Sequence, residues 1–413
     1  MQRSTDAAYA LNPHVQSSAP PPIPLAGAWA RAFRPTPARP LVNLAQGVPG
    51  QPPPQSLLDR LADAARDPAT TAYGALEGDD SLRQHLANDI ARAYGTKAGA
   101  EPVTGKDVVI TAGCNLAFYA SMLALAQPAD EVILPTPWYF NNEMVLRQLA
   151  ITLVPLRCAP PSFLPSPDEC AALITPRTRA IVLVSPNNPT GAVYPPALLV
   201  QFAHLAQERR VALILDETYR EFVPSRPHEL FAATDWRTYL VHLFSFSKSY
   251  AIPGHRLGAV VGAPSFLAQV AKLLDCLQIC PARPAQRAVA WAVDATRSWR
   301  EQTRDELAAR QALFRSLLAD VDGWEVETGA GYFAYVRHPF AGAPSARVAA
   351  RLGAQVGVVV LPGTFFSPPF ADVQEDRYIR FSIANVDEDT LRKVPDRLRE
   401  LNALWPALEA AAE

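Results

Sequence analysis

Between about residue 105 and residue 262 the chain alternates short, largely apolar runs with helix-length stretches: Val108–Ile110, Glu131–Leu134, Ala180–Val184, Val211–Leu215, Tyr239–Phe244 and Ala259–Val261. A run that stays apolar at nearly every position, instead of every second one, has the pattern of a strand covered on both faces. Such strands separated by helices predict a mostly parallel sheet flanked by helices, an α/β domain. Beyond about residue 285 the pattern changes to long charged and alanine-rich helices, then two strand candidates, Gly331–Val336 and Tyr378–Ile383, then a final helix. This predicts a smaller α+β domain. The first ~40 residues are rich in proline at Ala19–Pro24 and Pro35–Pro40. Proline lacks the N–H that helices and central strands need, so an arm or partly disordered lead-in is expected there. The expected division is an arm and small-domain segment over 1–45, a large domain over 46–285 and a C-terminal small domain over 286–413.

With 413 residues, 49% of them hydrophobic, the chain can bury a large core and form two domains. Lysine and arginine number 38 against 40 acidic residues, for a net charge of −2, and no long basic block is present. That balance leaves no electrostatic footprint for nucleic acid or an anionic membrane, so neither is expected as a partner. The five cysteines, Cys114, Cys158, Cys170, Cys276 and Cys280, are odd in number and form no CxxC pair. They fit a reduced interior, and a cytoplasmic location is expected. No apolar stretch approaches the ~20 residues of a membrane-spanning helix, and the first residues lack the charged-then-apolar order of a signal peptide. The seven histidines are scattered without a metal-like pair, and no metal is expected.

Lys248 follows the apolar run Tyr239–Phe244, with Ser245 and Ser247 beside it and Gly254 and Arg256 after it. A lysine meant for solvent lies on a charged helical face; one just past the carboxyl end of a buried strand lies where open α/β sheets place ligands. An amine among hydroxyls and a guanidinium suited to phosphate points to capture of a phosphorylated aldehyde, as pyridoxal phosphate is. Asp216 ends the run Ala212–Leu215. Its carboxylate is therefore expected at the same sheet edge, where a charge needs a partner, although an aspartate after a strand can also cap a helix. Gly113, Cys114 and Asn115 join a strand to the apolar stretch Leu116–Ala126, and the free N–H groups of such a helix start bind phosphate. Asn188 follows the strand Ala180–Val184, in Asn188–Gly191, which is also a good turn sequence. Arg380 lies in the alternating segment Tyr378–Ser382, where an unpaired charge is costly.

Taken in order, Thr111–Asn115, Pro135–Tyr139, Ser185–Gly191, Asp216–Tyr219, the Lys248 run, Gly357–Gly363 and Arg380 resemble the motifs of the class I/II aminotransferases, pyridoxal phosphate-dependent enzymes of fold type I. The likeness covers nearly the whole chain. It implies a large cofactor-binding domain and a small domain shared by the N-terminal arm and the C-terminal third. It implies that Lys248 forms the Schiff base with the cofactor aldehyde and then moves the substrate α-proton. Ser245 and Arg256 would grip the phosphate together with the backbone of Gly113, Cys114 and Asn115; Ser247 would assist or cap the turn. Asp216 would hold the pyridine nitrogen protonated so that the ring accepts electrons, with Glu217 structural. Asn188 and Tyr219 would bond the phenolic oxygen. One aromatic after Pro137 would stack on the ring, adding about 1 kcal/mol, with Tyr139 favoured over Trp138. Arg380 would clamp the substrate α-carboxylate, under a loop containing Gly47, with Asn188 also on the substrate side. Tyr73, in Thr71–Ala75, would reach the cofactor of a neighbouring subunit, which implies a homodimer with shared sites.

The implied reaction exchanges an amino group between an L-amino acid and a 2-oxo acid. The same constellation also serves β-eliminating, β-replacing, cyclising or oxidative relatives, which motifs do not separate. A non-catalytic sensor fused to a winged-helix head would need a DNA-binding segment; about 45 proline-rich residues precede the core, without a helix-turn-helix pattern or basic stripe.

Overall fold

The computed structural model describes residues 9–95, 101–223, 228–370 and 375–410. In chain order its strands are β1 (Val42–Asn43), β2 (Val108–Thr111), β3 (Glu131–Thr136), β4 (Thr152–Arg157), β5 (Thr178–Val184), β6 (Ala212–Asp216), β7 (Leu240–Ser245), β8 (Gly258–Val261), β9 (Glu325–Ala330), β10 (Phe333–Arg337), β11 (Val358–Val359), β12 (Leu361–Pro362) and β13 (Tyr378–Ser382). Seven of them form one sheet in the order β2-β8-β7-β6-β5-β3-β4. Its pairings are parallel except those of β8, which runs antiparallel to β2 and β7. All six apolar runs of the predicted sheet are in it, and helices cover it, as an α/β domain requires.

The unbroken apolar pattern of these strands follows from their two-sided burial. On β6, Leu213 and Leu215 enter the core that also holds Phe202 and Phe244. Ile214, pointing the other way, enters a second core with Phe118, Leu134 and Leu267. Within this sheet, the strand absent from the sequence reading is β4. It is one of the two edge strands, exposed or half-buried everywhere but Leu156 and with a proline at 155, so the unbroken apolar run of a buried strand is missing.

A four-stranded antiparallel sheet, β12-β13-β10-β9, carries the two predicted C-terminal strands. Its apolar face packs on Phe314, Val348, Leu352 and Leu398, a core that Val42 and Leu44 from the N-terminal side also enter. β1 pairs in parallel with β11, which joins the first part of the chain to the last. The helix Ser345–Val356 buries Val348, Ala349, Leu352 and Val356, one helical face, and stops at Gly357, whose left-handed φ of 69° is the usual helix-ending conformation. The lead-in departs from expectation. Pro22–Trp29 is a helix with proline in its first turn, a position where the missing N–H has no partner to lose and φ is already helical.

Candidate active site

The carboxyl ends of β2, β5, β6 and β7 meet β13 and the loop after β1 around one cavity of about 340 Å³. Twelve of the fifteen residues singled out from sequence line it: Gly47, Cys114, Asn115, Tyr139, Asn188, Asp216, Tyr219, Ser245, Ser247, Lys248, Arg256 and Arg380. A thirteenth, Gly113, lies directly behind. It sits at φ 93° as the cap of the helix Cys114–Leu125, and a β-carbon there would collide with the Arg256 guanidinium. Gly258 has a similar task, since its β-carbon would come 2.5 Å from the Cys114 nitrogen. Two tight backbone approaches thus put Arg256 beside a helix N-terminus, where N–H groups and guanidinium converge on an anion site.

Trp138 and Tyr73 are not part of the lining. Trp138 is buried in the core behind the sheet with Phe118 and Leu146. Its backbone N–H donates to the Phe366 carbonyl at 2.7 Å. Of the two aromatics weighed for the ring face, therefore, only Tyr139 borders the cavity. Tyr73 is 78% exposed on this chain.

Lys248 Nζ donates to the Gly47 carbonyl at 2.8 Å. Burial pulls its pKa from 10.5 to about 8, and the nearby Arg256 and Arg380 charges add to that fall. The lowered pKa raises the neutral, nucleophilic fraction of the amine at pH 7 to about a tenth, far above that of an ordinary lysine. Ser245 accepts from the Ser247 N–H at 3.2 Å, so Ser245 is the residue that caps the lysine turn.

Asp216 ends β6 and caps no α-helix. Its Oδ1 accepts from the Thr218 N–H at 2.9 Å and the Thr218 hydroxyl at 2.8 Å. The Cys114 thiol also approaches Oδ1, at 3.9 Å. With these donors all on Oδ1, Oδ2 is the oxygen left for a donor in the cavity. Burial pushes the Asp216 pKa up against the Thr218 bonds, so a cationic donor is what would stabilise its ionised form. The Cys114 thiol is pushed well up by burial and then by Asp216, which makes it a poor nucleophile.

Arg380 is 2% exposed. Strand alternation sends Ile379 and Phe381 into the apolar core and Arg380 to the opposite face, toward the cavity. Its Nη1 donates to Asn188 Oδ1 at 2.8 Å and its Nη2 to the Ala45 carbonyl. The guanidinium carbon stands 4.6 Å over the Phe333 ring, and Nε is buried without a partner. Both of its hydrogen-bonded acceptors are neutral, and burial lowers its pKa to about 10. A buried guanidinium held in this way is built to receive an anion. With Lys248, Arg256 and Arg380 set against one carboxylate, the cavity as a whole attracts anionic groups.

Several lining residues escaped the sequence reading. Thr218, which orients Asp216, lies inside the quoted Asp216–Tyr219 run, and a hydroxyl two residues after an aspartate is a recognisable turn signal. Phe333, Phe140, Asn141, Val48 and Ile23 carry no such signal; they reach the cavity by tertiary packing. Glu217, expected to be structural, is fully enclosed: Tyr94 donates to its Oε2, and His228 and His242 lie 3.1 Å from the same oxygen. Burial would raise its pKa, but the two histidines outweigh that and hold it below the usual carboxylate range.

Residues 39–398 match the family model for aminotransferase class I and II. The chain belongs to this family. An arginine–pyruvate transaminase of Pseudomonas aeruginosa is 34% identical over 306 residues, 73% of this chain and 76% of that protein. An aromatic aminotransferase of Arabidopsis thaliana is 27% identical over 367 residues, 87% of this chain and 89% of the relative. Among solved structures, aspartate aminotransferase of Thermus thermophilus with maleate superposes with a TM-score of 0.85 at 27% identity, covering 95% of this chain and all of that one. The chain is a pyridoxal phosphate-dependent aminotransferase, and the fold is that of the aspartate aminotransferase neighbours.

The residues present fit that cofactor. The helix start at Cys114, with Arg256 brought beside it by the close approaches at Gly113 and Gly258 and with Ser245 and Ser247 also lining the cavity, suits a phosphate. Asp216 Oδ2 suits a ring N–H, Tyr139 a ring face, and the buried amine of Lys248 an aldehyde. None of the described helices is long and apolar enough to cross a membrane.

Proposed function

We propose that this aminotransferase exchanges the amino group of an L-amino acid with a 2-oxo acid, with Lys248 as the residue that condenses with the cofactor aldehyde. The observation that carries this reading is the buried Lys248 amine, with its pKa near 8, in one cavity with Asp216 and Arg380. When bound, pyridoxal phosphate supplies an aldehyde for the substrate amine and a protonated ring that accepts the electrons left when the α-proton departs. Arg256, Ser245, Ser247 and the amides of Gly113, Cys114 and Asn115 hold its phosphate. Asp216, kept in register by Thr218, binds the ring N–H, and Asn188 and Tyr219 bond the phenolic oxygen. Arg380, oriented by Asn188 and the Ala45 carbonyl, takes the substrate α-carboxylate in its fork and so fixes the α-hydrogen relative to Lys248. The free amine of Lys248 would move that proton as general base and acid, which a pKa near 8 allows at neutral pH.

The likeness of Tyr73 to a phosphate-reaching tyrosine, together with its exposure on this chain, supports a homodimer with shared sites. The odd number of cysteines without a CxxC pair supports the cytoplasm as its location. The test is reduction of the holoenzyme with borohydride followed by peptide mass mapping, which should place the cofactor on Lys248. Incubation with amino acids should then yield 2-oxo acids and the aminated cofactor. Modification elsewhere sinks the Lys248 assignment, and release of ammonia with an eliminated group sinks transamination.

A further inference from the structure

Phe333 lines the cavity without a polar group to offer, and none of the steps proposed above uses it. It opens β10 opposite Ser382 of β13, diagonally beside Arg380. Ala334 and Val336 enter the core of the antiparallel sheet, so strand alternation turns the Phe333 ring to the other face, toward the cavity. Its carbonyl accepts from the Gln311 side-chain amide at 2.8 Å, and a β-carbon on Gly191 would stand 2.7 Å from the same oxygen. The strand end is thus held from two sides, and with the residue 1% exposed the ring has little room to move.

Three parts of the site bear on this ring. The Arg380 guanidinium carbon lies 4.6 Å from its centroid. The Tyr219 ring meets it edge to face, with 5.2 Å between centroids and 79° between planes. The loop after β1 closes on its tip: a β-carbon on Gly47 would stand 2.7 Å from Phe333 Cζ, and the Gly47 carbonyl is the acceptor of Lys248 Nζ. Arg380 also leans on Phe366, at 5.2 Å, and Tyr219 on Tyr332, at 5.2 Å. Among the described residues, Phe333 is the ring that both share. Under the roles given above, on which this inference rests, Arg380 anchors the substrate α-carboxylate and Tyr219 the phenolic oxygen of the cofactor. One anchor fixes the substrate and the other the cofactor, so their separation sets how the two meet. A misplacement of ~1 Å can cost about 100-fold in rate.

We infer that Phe333 is a positioning residue whose ring holds Arg380 and Tyr219 in fixed relation, joining the carboxylate clamp to the cofactor contact. The test takes two readouts on the holoenzyme. Propanoate, which carries only the group that Arg380 receives, reads the clamp by calorimetry. The pH midpoint of the bound cofactor's absorbance change reads Tyr219, because a hydrogen bond donated to the phenolic oxygen favours its ionised form and loss of that bond raises the midpoint. Phe333→Leu should weaken propanoate about tenfold, as loss of a desolvated cation–aromatic contact does. It should also raise the midpoint by roughly half a pH unit to one unit, the equivalent of one hydrogen bond. Phe366→Leu should weaken propanoate and leave the midpoint in place. A purely structural role would lower the melting temperature of Phe333→Leu and move neither readout; that result, or movement of one readout without the other, overturns the inference. Arg380→Lys and Tyr219→Phe calibrate the readouts. If they leave both unmoved, the assigned roles fail and this inference with them; if they move both and Phe333→Leu does not, the inference alone fails. Should Phe333→Leu not fold, Gly47→Ala drives a β-carbon into the ring and should move both readouts in the same directions; unmoved readouts there overturn the inference as well.

Discussion

Arg380 is held by two neutral oxygens and an aromatic face, an arrangement that leaves a positive charge uncompensated at the centre of the molecule. Its planar fork can bond both oxygens of a carboxylate, which an ammonium cannot. Arg380→Lys should therefore lower kcat/KM for amino acids by about 10- to 100-fold, the worth of one charged hydrogen bond, while cofactor affinity is kept. Unchanged kinetics would mean that another residue holds the α-carboxylate. At Lys248 the burial that creates reactivity also costs stability. Its folded pKa of about 8 lies below the ordinary 10.5, so the unfolded chain binds more protons between those values and stability rises with pH across that window. The penalty is complete below pH 8 and reaches at most about 3 kcal/mol. In cofactor-free protein, Lys248→Met should raise the melting temperature at pH 7, with the gain shrinking toward pH 10; a gain independent of pH would contradict the lowered pKa. The same substitution should abolish turnover of the holoenzyme.

At the scale of elements, the turns that follow the strands matter more than the strands themselves. The turn after β2 depends on a left-handed Gly113, and β8 lies against it only because Gly258 has no side chain. Gly258→Ala should destabilise the protein by about 1–3 kcal/mol, as overpacking does, and should weaken cofactor phosphate binding because the Cys114 amide is displaced. Thermal denaturation with a cofactor titration reads both, and an unshifted melting temperature would show that the turn yields. Glu217 presents a different case, with Tyr94, His228 and His242 around one carboxylate oxygen. Glu217→Leu should cost about 3–5 kcal/mol, because it strands buried polar partners; denaturant unfolding checks this. The strands of the large sheet were legible because two-sided burial demands uninterrupted apolar runs. β4 was not, because its positions are mostly exposed or half-buried and escape that demand. The proline-rich start also misled, since proline in a first helical turn costs nothing and local composition does not say whether a turn is first or interior.

For the whole molecule, the joining of β1 to β11 and of Val42 and Leu44 to the C-terminal core makes the first and last parts of the chain one body beside the large sheet. The cavity lies where that body meets the carboxyl ends of the strands. If Tyr73 completes the site of a second subunit, the protein should sediment as a dimer of the 44.8 kDa chain. Tyr73→Phe should then raise the cofactor Kd about fivefold to tenfold, one hydrogen bond, without dissociating the dimer. A monomer at micromolar concentration with full cofactor affinity would remove the shared-site reading. The sequence by itself determined the large sheet, the family and the residues bearing charge or a constrained backbone, because burial on two faces, ion binding and positive φ each restrict residue type at a fixed place along the chain. Only the tertiary structure decided that Tyr139 and not Trp138 borders the cavity, that Thr218 orients Asp216, and that Ile23 and Phe140 line the cavity too. Apolar and hydroxyl side chains serve equally in cores, turns and sites, and which they serve is set by what distant segments bring against them.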